Sequence, residues 1–170
     1  IALRPEQTTQ LTNPSLVARR FQHQQFTAAT EIDFEPRDEH DEAGLIAIQN
    51  DRFQYRLAVT KSQDRKVLKL IKVYNRERKV LTETVVVERD LGEDRFLVMK
   101  LDGLDLRFLA GPDMNRLSPL GELQEASVLA SNVSGGFIGA FVGMYASSNG
   151  QEGGNHADFA QFLYQPVLDD

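Results

Sequence analysis

The fold of this chain centres on the apolar stretch Gly135-Gly136-Phe137-Ile138-Gly139-Ala140-Phe141-Val142-Gly143-Met144-Tyr145-Ala146. The stretch has no charged residue, and apolar side chains stand at both parities of an extended chain. A strand that is apolar on both faces must be covered on both sides, as in the interior of a sandwich. Its glycines carry no side chain to pack, so they predict close approach of another layer. The stretch is therefore predicted to be the central strand of a β-sandwich.

Apolar and polar residues alternate along several other segments, as expected for strands with one buried face. Phe26–Phe34 is the clearest case, with Phe26, Ala28, Thr30, Ile32 and Phe34 at one parity and Thr27, Ala29, Glu31 and Asp33 at the other. Turn signals recur about every 8–12 residues, and helical periodicity is scarce, which is typical of an all-β fold. Glu122–Ala130 is the one segment that suits a short helix. Near the end of the chain, Phe159 and Phe162 are predicted to be buried.

Composition limits the possible partners and sites. The 170 residues suit one domain, and 41% hydrophobic content can supply one substantial core. A net charge of −6 argues against nucleic acid as a partner, because phosphate binding needs a basic surface. No apolar run approaches the length of a membrane span, so no membrane partner is expected. The absence of cysteine excludes disulfides and thiolate sites but leaves the compartment open.

Few residues suggest chemistry. An acidic loop, Glu35–Glu42, is either a solvated charged loop or a calcium site, since hard cations prefer carboxylate oxygens. The histidines His23, His40 and His156 stand far apart in sequence and lack the spacing of a zinc site. No serine-nucleophile or phosphate-binding motif is present, and the residues alone predict a β-sandwich without an evident catalytic centre.

Several motifs, in this order and spacing, resemble one known module. They are Ser15–His23 (SLVARRFQH), Phe26–Thr30 (FTAAT), Phe34-x-Pro36, Ala43-Gly44-Leu45, Phe137–Ala146 and Ala157-Asp158-Phe159-x-x-Phe162-x-Tyr164. Together they resemble the C-terminal concanavalin A-like sandwich of glycoside hydrolase family 43, the β-xylosidases and α-L-arabinofuranosidases. The resemblance implies an all-β, two-sheet antiparallel β-sandwich of the jelly-roll, concanavalin A-like or laminin G-like type. It also implies that residues 1–170 form a single domain, the C-terminal module of a longer glycosidase.

The resemblance also implies a partner and a role. In such enzymes the catalytic acids belong to a preceding five-bladed propeller, so no catalytic residue is assigned in this chain, and neither a metal nor a cofactor is expected beyond the calcium alternative. A loop of the sandwich sends an aromatic side chain to the rim of the sugar pocket in some members, and Phe137 is the matching residue. Phe137 is accordingly predicted either to wall a pocket for xylo- or arabino-oligosaccharides or to be an ordinary core residue. The alternative function is an independent carbohydrate-binding module.

Overall fold

The chain folds into two packed antiparallel sheets. A computed structural model describes residues 1–10, 13–75, 82–130 and 137–168. The strands are β1 (Ser15–Arg20), β2 (Gln25–Asp33), β3 (Glu42–Asn50), β4 (Phe53–Ser62), β5 (Arg65–Tyr74), β6 (Glu83–Asp90), β7 (Phe96–Asp102), β8 (Asp105–Gly111), β9 (Ser118–Pro119), β10 (Gln124–Glu125), β11 (Phe141–Ser147) and β12 (Asp158–Pro166). The first sheet has the order β1-β11-β3-β4-β5-β6. The second has the order β10-β8-β7-β2-β12, with β9 paired to β8.

The core lies between the sheets and comes from alternate residues of their strands. On the first sheet, Leu45 and Leu57 pair across β3 and β4, and Leu70 continues the row on β5. On the second sheet, Phe26, Leu101 and Leu106 form the corresponding row. Every one of these side chains is buried. The predicted two-sheet sandwich is confirmed, whereas the assignment of residues 1–170 to a single domain stays a prediction.

The glycine-spaced stretch is a strand only in its second half. Residues 137–140 form a turn, which the backbone N–H of Ala140 closes by donating to the Phe137 carbonyl over 3.0 Å. Gly139 has φ +85°, a left-handed conformation that ends an extended run. Gly135 and Gly136 lie outside the described residues. The strand β11 lies between β1 and β3, one place from the sheet edge, so the prediction of a central strand was wrong in position.

Both faces of β11 are nevertheless covered, as its apolar pattern predicted. Val142 and Ala146 face the core, while Tyr145 packs on the opposite face against Ile46. Gly143 lies directly beside β1, where an added Cβ would stand 2.1 Å from the Val17 carbonyl oxygen. The absent side chain thus admits the backbone of a neighbouring strand in the same sheet, and the predicted approach of another layer was wrong on this point.

Two local predictions also differ from the structure. In place of the predicted short helix Glu122–Ala130, the structure has a four-residue 3-10 helix, Ala126–Leu129. The helix is shorter than predicted because Gln124 and Glu125 pair with β8. Phe159 and Phe162 are half-buried rather than buried, since β12 is the edge strand of its sheet. Within the described part of the chain, no helix has the length and apolarity to cross a membrane.

A network of ionic side chains lies buried on the face of the first sheet that points away from the second sheet. Arg56, on β4, is 2% exposed, and its Nε lies 2.9 Å from a carboxylate oxygen of Glu42. Its two other nitrogens donate to Glu83 and Gln54, each over 3.0 Å. Burial opposes the charge on Arg56, but the neighbouring carboxylates, Glu42 foremost, raise the pKa of the guanidinium above its ordinary value. Arg56 therefore stays charged inside the protein.

The amino-terminal segment helps to cover this network. The Thr8 hydroxyl donates to the Gln54 side chain over 2.7 Å, and the Gln54 amide donates back to the Thr8 carbonyl over 3.0 Å. On the other side of Arg56, the Tyr145 hydroxyl donates to Glu42 over 3.1 Å. Burial, assisted by the charge of Glu42, raises the pKa of Tyr145 well above its ordinary value. The Gln54 and Tyr145 side chains thus have hydrogen-bond partners, whereas Nε of Arg56 has Glu42 as an ion-pair partner but no hydrogen bond.

Candidate functional site

Three connections meet at one end of the sandwich. Arg20 at the end of β1 pairs with Phe141 at the start of β11, which places the turn 21–24 beside the turn 137–140. Gln25 pairs with Asp102, which brings the β7–β8 turn to the same end. These connections enclose a cleft of about 330 Å³. Its lining residues are Phe21, Gln22, His23, Gln24, Gly103, Leu104, Phe137 and Ile138.

Phe137 lies at the boundary between the core and the cleft. Its side chain is half-buried and packs against the edge of the hydrophobic core. Its ring centroid is 5.6 Å from that of Phe21, which in turn makes an edge-to-face contact with buried Phe26 at 4.9 Å. One side of the ring is therefore anchored by aromatic packing, and part of it remains in the cleft. Phe137 thus packs on the core and lines the cleft, and its role at the rim of a sugar pocket stays a prediction.

The neighbouring apolar side chains are exposed. Leu104 is 66% exposed and Ile138 is 67% exposed, and both line the cleft. Val167, 57% exposed, lines an adjoining hollow together with His23 and Gly103. Single exposed apolar residues are ordinary, but a contiguous group of them around a cleft is typical of a binding surface. The sequence reasoning did not single out Leu104 or Val167, and it included Ile138 only as part of the glycine-spaced stretch.

The opposite wall of the cleft is polar and is held by Tyr164. The backbone N–H of Gln22 donates to the Tyr164 hydroxyl over 3.2 Å, and Nδ1 of His23 lies 3.1 Å from the same oxygen. Arg19 stacks its guanidinium 3.8 Å from the centre of the Tyr164 ring and donates to the Gln22 side chain over 2.6 Å. Aromatic rings, amides and an imidazole are groups that stack on sugar rings and hydrogen-bond to hydroxyls.

The acidic loop lies at the far end of the sandwich, and its carboxylates point to separate partners. Glu35 pairs with Lys66 at 2.6 Å, and Asp41 accepts hydrogen bonds from the Arg37 and Asn155 side chains. Asp41 and Glu42 are buried, so the prediction of a fully solvated loop was wrong for these two residues. Across the described residues, no three His, Asp or Glu side chains come together as a metal ion would require.

The histidines are dispersed, as their spacing indicated. His23 lies in the cleft, whereas His40 and His156 lie at the other end, beside Asp38 at 3.4 Å and Asp158 at 3.6 Å. Asp38 accepts the backbone N–H of His40, and this hydrogen bond is the main cause that lowers the pKa of its carboxyl. These contacts are short-range pairs at the surface.

Comparison with known proteins identifies the family of the chain. Residues 1–165 match the model of the beta-xylosidase C-terminal concanavalin A-like domain, which covers the cleft, both sheets and nearly all of β12. The chain belongs to this family. The predicted resemblance to the C-terminal sandwich of glycoside hydrolase family 43 is thereby confirmed.

Relatives of known activity are much longer than this chain. A non-reducing end alpha-L-arabinofuranosidase of Bacteroides ovatus is 29% identical over 155 residues, which are 90% of this chain and 28% of the relative. A xylosidase/arabinosidase of Humicola insolens is 32% identical, with 90% of this chain and 30% of the relative covered. The chain spans about three tenths of the length of the curated relatives it matches.

Solved structures give the same picture. A family 43 protein from the capybara gut metagenome superimposes with a TM-score of 0.74 at 30% identity, over 85% of this chain and 27% of that one. The xylan beta-1,4-xylosidase of Bacillus halodurans gives a TM-score of 0.79 at 23% identity, over 94% of this chain and 31% of that one. This second likeness supports the fold alone.

Proposed function

We propose that this chain is the accessory sandwich domain of a family 43 glycosidase that acts on xylose- or arabinose-containing oligosaccharides. It packs against a catalytic five-bladed propeller of the same polypeptide and does no chemistry by itself. Membership of the family supports this proposal, as does the greater length of the relatives, whose names record xylosidase and arabinofuranosidase activities. The end that carries Phe137 is the docking end, because its exposed Leu104 and Ile138 offer an apolar surface for a second domain.

One observation supports the more specific role of Phe137 at the sugar pocket. The ring is anchored on Phe21 at one side and remains partly open in the cleft at the other. A ring held in this way can close one side of a sugar pocket formed with the propeller. A short, walled pocket favours the release of single sugars from chain ends, because a longer chain cannot pass the wall.

The test compares Phe137→Ala with Phe159→Ala in the full-length polypeptide. Both side chains are half-buried against the core, but Phe159 stands at the start of β12, near the opposite end. We expect Phe137→Ala to raise KM for nitrophenyl xylosides or arabinofuranosides about tenfold, the change for a loss of about 1.4 kcal/mol of binding free energy. Phe159→Ala should leave KM unchanged. Equal kinetics in the two variants would remove the pocket role.

The accessory role has its own test. The purified 170-residue chain should hydrolyse no aryl xyloside or arabinofuranoside, whereas the full-length polypeptide should do so. Turnover by the purified chain, lost on heat denaturation, would refute the assignment of catalysis to another domain.

A second function is favoured by the cleft itself. Two aromatic rings and three polar side chains surround about 330 Å³, enough space for one sugar ring. As an independent carbohydrate-binding module, the chain would bind xylan or arabinan fragments without the propeller. Isothermal titration calorimetry decides between the two functions, and no heat of binding at millimolar ligand would eliminate the module.

A further inference from the structure

We propose that Tyr164 is a positioning residue that holds the turn 21–24, and through it Phe137, in place at the cleft. Tyr164 lies on β12, at the edge of the second sheet, whereas the turn and Phe137 adjoin β1 and β11 of the first. It therefore joins the two sheets at the end where their connections form the cleft. The role of the held ring in a sugar site rests on the proposed function.

The ring of Tyr164 is clamped on both faces. Phe26 stacks on it with a centroid distance of 4.5 Å and an interplanar angle of 28°. Arg19 lies over it with its guanidinium carbon 3.8 Å from the centroid. A cation on an aromatic face and a stacked aromatic partner both restrict the position of the ring. The hydroxyl is therefore held in a defined position beside Gln22 and His23.

The hydroxyl holds two successive residues of the turn. It accepts the backbone N–H of Gln22 at 3.2 Å and lies 3.1 Å from Nδ1 of His23. When Nδ1 carries no proton, the hydroxyl donates to it, so that its donor and an acceptor lone pair are both used. Arg19 completes the arrangement by donating to Oε1 of Gln22 over 2.6 Å. The turn is thus tied to β12 through one oxygen atom.

The turn passes this constraint on to Phe137 by two routes. The backbone N–H of Phe21 donates to the carbonyl of Ala140 over 2.9 Å, and the N–H of Ala140 donates to the carbonyl of Phe137 over 3.0 Å. In addition, the rings of Phe21 and Phe137 pack at 5.6 Å. A displacement of the turn consequently moves both the backbone and the ring of Phe137.

Tyr164→Phe removes the hydroxyl and retains the ring between Phe26 and Arg19. We expect amide hydrogen exchange in this chain to accelerate about three- to tenfold at Gln22 and by a smaller factor at Ala140, the change for loss of one hydrogen bond. Tyr145→Phe is the matched control, because it deletes a hydroxyl bonded to Glu42 on the outer face of the first sheet. It should leave the ratio of exchange at Gln22 to exchange in β7, a strand of the other sheet, unchanged.

Kinetics of the full-length polypeptide distinguish positioning from simple stability. Tyr164→Phe should raise KM about threefold with kcat nearly unchanged, because a displaced wall weakens ground-state and transition-state binding alike. Tyr145→Phe should change neither. Unaltered exchange at Gln22 and Ala140 in Tyr164→Phe would overturn the positioning role, as would an unaltered KM when Phe137→Ala raises it. Faster exchange together with unaltered KM in both variants would support positioning and refute the pocket role of Phe137.

Discussion

Arg56 shows how one buried charge organises a face of the first sheet. Its guanidinium meets Glu42, Glu83 and the Gln54 side chain, and it is 2% exposed. A charge removed from water is tolerated only where partners replace its hydration. The amino-terminal residue Thr8 adds a cover from outside the sheet. The network therefore ties the start of the chain to the middle of the fold.

Arg56→Met tests this network. The substitution leaves the carboxylates of Glu42 and Glu83 without their cation, and we expect it to lower the free energy of unfolding by about 3–5 kcal/mol. Urea denaturation followed by tyrosine fluorescence measures the change. The matched control is Arg65→Met, because the pair Arg65–Asp90 is exposed on both sides and contributes at most about 1 kcal/mol. Similar losses in the two variants would contradict the assigned role of Arg56.

The raised pKa of Tyr145 predicts a dependence on alkaline pH. Burial keeps Tyr145 neutral in the folded chain, whereas in the unfolded chain it ionises near its ordinary pKa of 10.0. The unfolded state therefore releases its proton first, so the contribution of Tyr145 to stability is fully present below that pH and is lost as the pH rises beyond it. Chemical denaturation at a series of alkaline pH values measures the slope. Tyr145→Phe should make the slope shallower, and an identical slope in the variant would contradict the prediction.

Sequence reasoning could not identify Arg56 or Tyr164 as important. Alternation along β4 places Gln54, Arg56 and Thr60 on one face, which ordinarily indicates a solvent-exposed face. The amino-terminal segment covers that face through tertiary contacts, and no local pattern records such contacts. Tyr164 had a visible signal only as part of a family motif. Its partners Arg19 and His23 are more than 140 residues away, and spacing cannot bring such residues together.

At the scale of the elements, β11 depends on the absence of a side chain at Gly143. An added Cβ would lie 2.1 Å from the Val17 carbonyl oxygen and 2.5 Å from Cα of Ala18, both on β1. Contacts this short cannot be relieved by side-chain rotation, because they involve backbone atoms. The strand β1 is the edge of its sheet and leads directly into the turn 21–24. The register of β11 and β1 therefore bears on the geometry of the cleft.

Gly143→Ala should displace β1 from β11. We expect a loss of about 1–3 kcal/mol in the free energy of unfolding and faster amide exchange along Ser15–Arg20. Gly92→Ala is the comparison, because Gly92 has φ +57° and open space around it, so the substitution costs about 1 kcal/mol of backbone strain without a clash. Unchanged exchange in β1 of Gly143→Ala would show that the strand adjusts without cost.

Element boundaries reveal what periodicity can and cannot predict. The strand β2 follows the predicted alternation, with Phe26, Ala28 and Ile32 on the core, whereas β4 is buried on both faces. The stretch around Phe137 looked like one continuous strand because nothing polar interrupts it. The left-handed conformation of Gly139 divides it into turn and strand. Glycine permits both outcomes, so only the tertiary structure decides between them.

At the scale of the whole molecule, the two ends of the sandwich differ in character. One end carries the cleft and exposed apolar residues, among them Leu104, Ile138 and Val167. The other carries exposed ion pairs, such as Glu35 with Lys66 and Arg65 with Asp90. Apolar groups favour burial against a second domain, whereas exposed ion pairs are well solvated. The polarity of the molecule thus agrees with docking at the Phe137 end.

Leu104→Glu tests this polarity in a reconstituted complex. When the catalytic segment of the full-length polypeptide is mixed with this chain, we expect the variant to bind at least about tenfold more weakly, because burial of one Leu contributes about 1.5–3 kcal/mol. Val85→Glu is the matched control, since Val85 is an apolar residue, 49% exposed, on β6. It should bind like the parent chain. Equal affinities in all three would place the interface elsewhere.

The cleft is built from connections between strands, and this affects how the sequences of related domains can change. The turns 21–24 and 137–140 supply Phe21, Phe137 and Ala140 to the edge of the core, so an exchange of either turn suits the scaffold only where these residues are retained. A shorter or longer turn changes the depth of the cleft. Exchange of the 137–140 turn for that of a relative, with Phe137 and Ala140 retained, is therefore a route to a cleft of different depth on the same two sheets.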